Sequence, residues 1–250
     1  MPVATALVAR LRRAGSAVLL LLAASTVHGQ DPARNSYAAE RQALVAQLRD
    51  GAAAAGRHAQ LDPEVLEAIG RVPRHRFVPA AQRPHAYEDR PLPIGHGQTI
   101  SQPYIVALMT SLLQPAPGHK VLEVGTGSGY QAAVLAELGA QVYTIEILEP
   151  LARQAAQLLQ DYPGVHTRIG DGYQGWTEHA PFDAIIVTAA VAPIPPPLLE
   201  QLKPGGRMVI PVGRQWATQT LMLVEKDAAG RIRERRIVPV RFVPLTGERD

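Results

Sequence analysis

From Lys120 onward, short apolar strand segments alternate with helix-length segments. A glycine-rich turn follows the first strand, and two closing strands flank Asp227-Ala228-Ala229-Gly230; together these observations predict an α/β fold. The expected form is a Rossmann-like, doubly wound, mostly parallel sheet with a C-terminal antiparallel hairpin and an N-terminal helical extension. Successive parallel strands must be joined by right-handed crossovers, and the intervening helices supply them. A composition that is 46% hydrophobic and 19% charged is that of a folded chain, not a disordered one.

In chain order, Arg10, Arg12 and Arg13 precede an apolar run, Ala17-Val18-Leu19-Leu20-Leu21-Leu22-Ala23-Ala24, and then the small residues Val27 and Gly29. A basic start, a short apolar stretch and small residues at a cleavage point predict a secretory signal peptide over 1–29, cut after Gly29. The run is shorter than the roughly 20 residues needed to span a bilayer. The remainder, 30–250, is expected as one domain: an N-terminal helical and loop extension over 30–115, and a cofactor-binding core over 116–250.

Tyr37, Arg41, Leu44, Val45 and Leu48 share one face at helical spacing and predict a surface helix over 36–51. Asp62 followed by Pro63 reads as a cap and first turn, opening a short helix closed by Gly70. The proline-rich stretch 72–103 reads as extended loop, and an apolar helix is expected over 104–113. Strands then follow at 121–124, 141–145, 166–169, 182–187 and 208–212, with helices at 130–138, 150–159 and 197–202. Strands at 219–224 and 235–240 form the terminal hairpin.

Charge narrows the function. The chain has 25 Lys+Arg and 22 Asp+Glu, and the three arginines of the leader account for the whole excess. A neutral, mixed-charge body argues against nucleic acid as a partner, because phosphate affinity needs a clustered positive field. With no cysteine, disulfides, thiolate metal sites and a thiol nucleophile are all excluded. No metal site is expected, and no membrane association after leader removal.

The chemistry-bearing motifs sit at strand ends. Glu123-Val124-Gly125-Thr126-Gly127-Ser128-Gly129 joins the first core strand to its helix, where glycines let a ligand lie against the backbone at a helix start. The spacing Gly-x-Gly-x-Gly is not the Gly-x-Gly-x-x-Gly of dinucleotide folds, which disfavours a nicotinamide dehydrogenase. Glu146 ends the second strand, where a carboxylate can accept hydrogen bonds from ribose hydroxyls. Asp171 and Gly172 follow the third, where a side chain can reach an adenine amino group. Taken singly, Glu146 reads equally as a solvated strand end and Asp171 as a turn residue. Upstream, Gly97-Gln98-Thr99-Ile100-Ser101-Gln102-Pro103 can aim hydroxyl and backbone donors at an anion. It reads equally as the start of a helix, with Ser101 as N-cap and Pro103 in the first turn.

The glycine motif with Glu146 and Asp171 resembles the class I S-adenosylmethionine-dependent methyltransferases. Val72-Pro73-Arg74-His75-Arg76-Phe77-Val78-Pro79, the 97–103 loop and the closing Phe242-Val243-Pro244-Leu245-Thr246 narrow the resemblance to the protein-L-isoaspartate O-methyltransferases, over about residues 36–250. That resemblance implies methyl transfer from S-adenosylmethionine to the free α-carboxylate of L-isoaspartyl residues in damaged proteins and peptides, followed by non-enzymatic closure to a succinimide. It implies Ser101 as the catalytic or substrate-holding residue. It places Gln98, Thr99, Ile100, Gly125, Thr126, Gly127, Ser128, Gly129, Glu146, Asp171, Gly172 and Thr246 around the cofactor. A carboxylate is already ionised at neutral pH, so no general base is required. Arg74 and His75 read as structural, and His96 as a surface histidine.

Two features depart from the family pattern: the leader, since such enzymes are normally cytoplasmic, and a long alanine-rich stretch at 51–60. The leader predicts a periplasmic or secreted protein, with cytoplasmic residence as the alternative. A monomer is expected. Competing readings are another carboxyl or small-molecule methyltransferase, and an exported, non-catalytic binding module on the same fold.

Overall fold

A computed structural model describes residues 32–55, 61–214 and 217–247 of the chain. The expected leader, 1–29, lies outside them.

Helix α1, Pro32–Ala55, is longer than the periodicity suggested and turns Leu44, Val45, Leu48 and Ala52 into the core. Helix α2, Pro63–Arg71, starts as its sequence requires: an oxygen of Asp62 accepts from the Glu64 backbone N–H at 2.8 Å, and Pro63 occupies the first turn. It runs one residue beyond Gly70. The Arg41 guanidinium then ties α1 to the end of α2, donating to the Gly70 carbonyl at 2.7 Å.

The stretch expected as extended loop is built otherwise. It holds two 3-10 turns, Arg74–Phe77 and Ala80–His85, and a hairpin of β1, Leu92–Gly95, with β2, Gln98–Ile100. Pro73 and Pro79 stand just before the two turns, where a fixed φ favours entry into a tight turn. Leu92, Ile94 and Ile100 are buried, so the hairpin has an apolar face that its prolines obscure in the sequence. His96 and Gly97 form its tip, both at positive φ (53° and 73°), with His96 exposed as expected.

Helix α3 is Pro103–Leu113. Its cap corrects one sequence reading: Ser101 does not cap it. The cap position falls at Gln102 and has no side-chain bond of its own. Asp89 serves instead, accepting from the Tyr104 backbone N–H at 2.8 Å and from the Gln102 side-chain amide at 3.0 Å. The Ser101 hydroxyl is thereby left for other work.

The main sheet has seven strands: β3 (Lys120–Val124), β4 (Gln141–Glu146), β5 (Val165–Ile169), β6 (Phe182–Val187), β7 (Leu202–Val212), β8 (Gln219–Lys226) and β9 (Ile232–Val240). Their spatial order is β5-β4-β3-β6-β7-β8-β9, parallel from β5 to β7 and antiparallel from β7 to β9. Helices α4 (Tyr130–Glu137), α5 (Glu149–Leu159) and α6 (Pro196–Gln201) return the chain between parallel strands. The β5-to-β6 link uses short 3-10 turns instead of a helix. Strand β5 is weak in the sequence because it is an edge strand, its last four residues being exposed. Alternate strand residues feed two apolar clusters: Val121, Ala184 and Ile186 join one, and Leu122, Val124, Ile185 and Val187 the other. Strand order reverses at β3, which has β4 on one side and β6 on the other, so the crevice beyond its C-terminal end is where such a sheet takes a ligand.

Candidate active site

Beyond β3 the chain turns through Gly125, Gly127 and Gly129 at φ of 97°, 53° and 88°, conformations that L side chains resist. Gly125 has a second constraint. A β-carbon there would stand 2.7 Å from the Thr188 hydroxyl, which donates to the Gly125 carbonyl at 2.6 Å and so links the ends of β3 and β6. Glu146 closes the turn from the other side. One carboxylate oxygen accepts from the Gly127 N–H at 2.8 Å and the other from the Leu148 N–H at 3.0 Å. The acid expected to meet a ribose is thus also the clamp that fixes the glycine turn.

A cavity opens on this turn, at the C-terminal end of β3. Its wall includes Gln98, Thr99, Ile100 and Ser101 from the β2 side. Gly125, Thr126, Gly127 and Ser128 come from the turn, with Glu146 and Gly172 from the next two strand ends and Thr246 from the C-terminal segment. That segment is strapped down: Ala190 N–H donates to the Val243 carbonyl at 2.8 Å and Leu245 N–H to the Ala190 carbonyl at 2.9 Å.

Two residues expected here stand back from the wall. Gly129 is at the N-terminus of α4, where a β-carbon would come within 3.2 Å of Leu159; its smallness serves helix packing. Asp171 caps the following 3-10 turn, accepting from the Tyr173 N–H at 2.9 Å, and lies directly under Gly247.

The residue that sequence reasoning passed over is Glu123. It is fully buried in the central strand and lines the cavity. One oxygen accepts from the Thr144 hydroxyl at 2.6 Å; the other has no partner in the chain. Burial, with a smaller contribution from the Glu146 charge, pushes its carboxyl up to about 8. The available signal was a charge inside an otherwise apolar strand, Val-Leu-Glu-Val.

This has a measurable consequence. Above its ordinary 4.5 the unfolded chain gives up the Glu123 proton while the folded chain keeps it to about 8. Across that window the native state binds more protons, so stability falls as pH rises. Glu123→Gln is expected to flatten this slope in ligand-free protein, read as melting temperature against pH. An unchanged slope would contradict the assignment.

A second cavity lies beside the first, lined by Gln102, Ile105, Pro239, Val240, Arg241 and Phe242 among others. Thr99, Ser101, Thr188 and Val243 line both. Arg241 is the one charged residue on its wall among the described residues. Among the described residues no cluster of histidines and acids could hold a metal ion.

Comparison with known proteins gives a consistent picture. A family model described as protein-L-isoaspartate(D-aspartate) O-methyltransferase matches residues 39–250. Protein-L-isoaspartate O-methyltransferase 1 of Cupriavidus necator is 58% identical over 235 residues, covering 93% of this chain and 90% of that protein. Protein-L-isoaspartate O-methyltransferase 2 of a Polaromonas species is 67% identical over 191 residues, or 76% and 90% of the two chains. Among solved structures, a protein-L-isoaspartate O-methyltransferase superposes with a TM-score of 0.74 at 27% identity, covering 83% of this chain and 66% of that one. A Plasmodium falciparum structure described as a beta-aspartate methyltransferase in complex with S-adenosyl-L-homocysteine gives 0.70 at 25% identity, covering 82% and 98%.

Proposed function

The chain belongs to the protein-L-isoaspartate(D-aspartate) O-methyltransferase family, and from that premise we propose how its two joined cavities divide the work of S-adenosylmethionine-dependent repair. The first cavity takes S-adenosylmethionine. The second takes a damaged protein or peptide, with the free α-carboxylate of its L-isoaspartyl residue presented at the junction. The carrying observation is that Thr99, Ser101 and Thr188, three neutral hydroxyl side chains, line both cavities.

The first cavity suits that cofactor chemically. The unpartnered, buried oxygen of Glu123 calls for a donor from a ligand, and an ammonium group supplies one together with the charge that would ionise the carboxyl. Glu146 keeps lone pairs for ribose hydroxyls after accepting its two backbone donors. Ile147, part-exposed on the same wall, offers an apolar surface to a base. The Glu146 carboxylate on the wall repels a phosphate-bearing ligand, which agrees with the glycine spacing.

S-Adenosylmethionine, when bound, supplies a methyl group on a cationic sulfur, which the acceptor's carboxylate oxygen can attack without losing a proton. The chain's residues therefore need only bind, orient and exclude water. Ser101 donates to the acceptor carboxylate and holds it without attacking anything. A neutral hydroxyl leaves the carboxylate more nucleophilic than an arginine clamp at the reacting oxygens would. Arg241, at the rim of the second cavity, favours an anionic acceptor from a distance.

The test is turnover on paired peptides that differ only in aspartyl or isoaspartyl linkage. Methyl transfer confined to the isoaspartyl member is expected; equal transfer to both, or transfer to neither, would refute the reading. We also propose export, supported by the arginine cluster and apolar run of 1–29. A mature N-terminus near Gln30 in the periplasmic fraction is the expected result, and an intact leader in the cytosol the opposite one.

A further inference from the structure

Arg74 is completely buried and has no direct ion pair among the described residues; the Asp89 charge favours its charged form, but less than burial opposes it. Its surroundings show what holds it. The guanidinium fork donates through Nε to the Ala86 carbonyl at 3.0 Å and through Nη2 to the Ser101 carbonyl at 2.8 Å. Its plane lies over the Tyr130 ring, 4.9 Å from the centroid. Tyr130 is the first residue of α4 and lines the first cavity. Desolvation by burial brings the guanidinium down only to about 10, so it remains charged at neutral pH.

One side chain thus touches three separate parts of the site: the connector before β1, the peptide unit of Ser101, and the aromatic face behind the glycine turn. The other flank of Ser101 is held by Asp89 through Gln102 and Tyr104. A loop needing only mechanical support could take it from neutral donors.

We propose that Arg74 is a positioning residue for methyl transfer: it fixes the Ser101 peptide relative to the cofactor wall at Tyr130. This rests on the role of Ser101 given above. Lysine cannot reproduce the fork, because its single ammonium has no planar pair of donors to reach both carbonyls.

The test is a double-mutant cycle on the full protein with Arg74→Lys, Ser101→Ala and the pair, reading kcat, KM for an isoaspartyl peptide, and S-adenosylhomocysteine affinity by calorimetry. Arg74→Lys is expected to lower kcat at least tenfold while changing cofactor affinity by less than about threefold. In the Ser101→Ala background the same change is expected to have little further effect. A full additional loss in that background, or equal losses in kcat and cofactor affinity, would overturn the proposal. Normal kcat in Arg74→Lys alongside a depressed Ser101→Ala would overturn it while sparing the role of Ser101. Normal turnover in Ser101→Ala would remove the premise instead. Arg74→Gln, which keeps a donor but not the charge, is made in parallel. Failure of both Arg74 variants to fold would assign Arg74 to core stability and overturn the proposal.

Discussion

Replacing Ser101 by alanine is expected to lower kcat for an isoaspartyl peptide by about 100-fold, while leaving S-adenosylmethionine affinity nearly unchanged. The size follows from positioning: a reacting oxygen misplaced by about 1 Å costs on the order of 100-fold. The selectivity follows from the structure. Ser101 lies where the two cavities meet, whereas the glycine turn and its two acids belong to the first alone. Since Asp89 caps α3, losing the Ser101 hydroxyl should not unravel the helix start. Steady-state kinetics with calorimetric cofactor binding separates the two readouts; unchanged turnover would remove Ser101 from the mechanism.

Glu146→Ala is the second large effect, and it acts on the other substrate. Its carboxylate holds the Gly127 and Leu148 N–H groups, so truncation loosens the turn and also removes the ribose acceptor. A hydrogen bond to a charged group contributes about 1.5–3 kcal/mol, and the loss of one corresponds to roughly ten- to a hundredfold weaker cofactor binding. Losing the turn's clamp places the expected result toward the upper end. Calorimetry of S-adenosylhomocysteine binding measures it, and affinity within about twofold of the parent protein would contradict both roles.

How much of this was legible in the sequence depended on how local its cause was. The core strands were readable because each buries a short apolar run between helices, and 182–187 coincides with β6. The glycine turn was readable because positive φ selects glycine locally. Residues 72–102 were not. Their turns and hairpin are held by tertiary contacts, and a proline-rich string does not reveal that Leu92, Ile94 and Ile100 face the core.

The site divides the same way. Ser101, Gln98 to Ile100 and Glu146 were identified from motif position, and the structure brings them to one wall. The reason Ser101 is free to act lies in Asp89, twelve residues upstream and invisible to a capping rule that looks only at neighbours. Glu123 sits inside the glycine motif, where its neighbours draw attention first, yet a carboxyl in the middle of an apolar strand is costly to bury and marks a group with a task. Gly129 matched the motif by spacing, but its smallness answers to Leu159.

The proposed division of labour puts cofactor and acceptor in different cavities that meet at Ser101. Its most direct test is a crystal structure with S-adenosylhomocysteine and an isoaspartyl peptide bound together. The expected result has the adenosyl group between Glu146 and the glycine turn, the peptide along Val240 to Val243, and the α-carboxylate within hydrogen-bonding distance of the Ser101 hydroxyl. A carboxylate bound away from Ser101, or a peptide outside the second cavity, would contradict it.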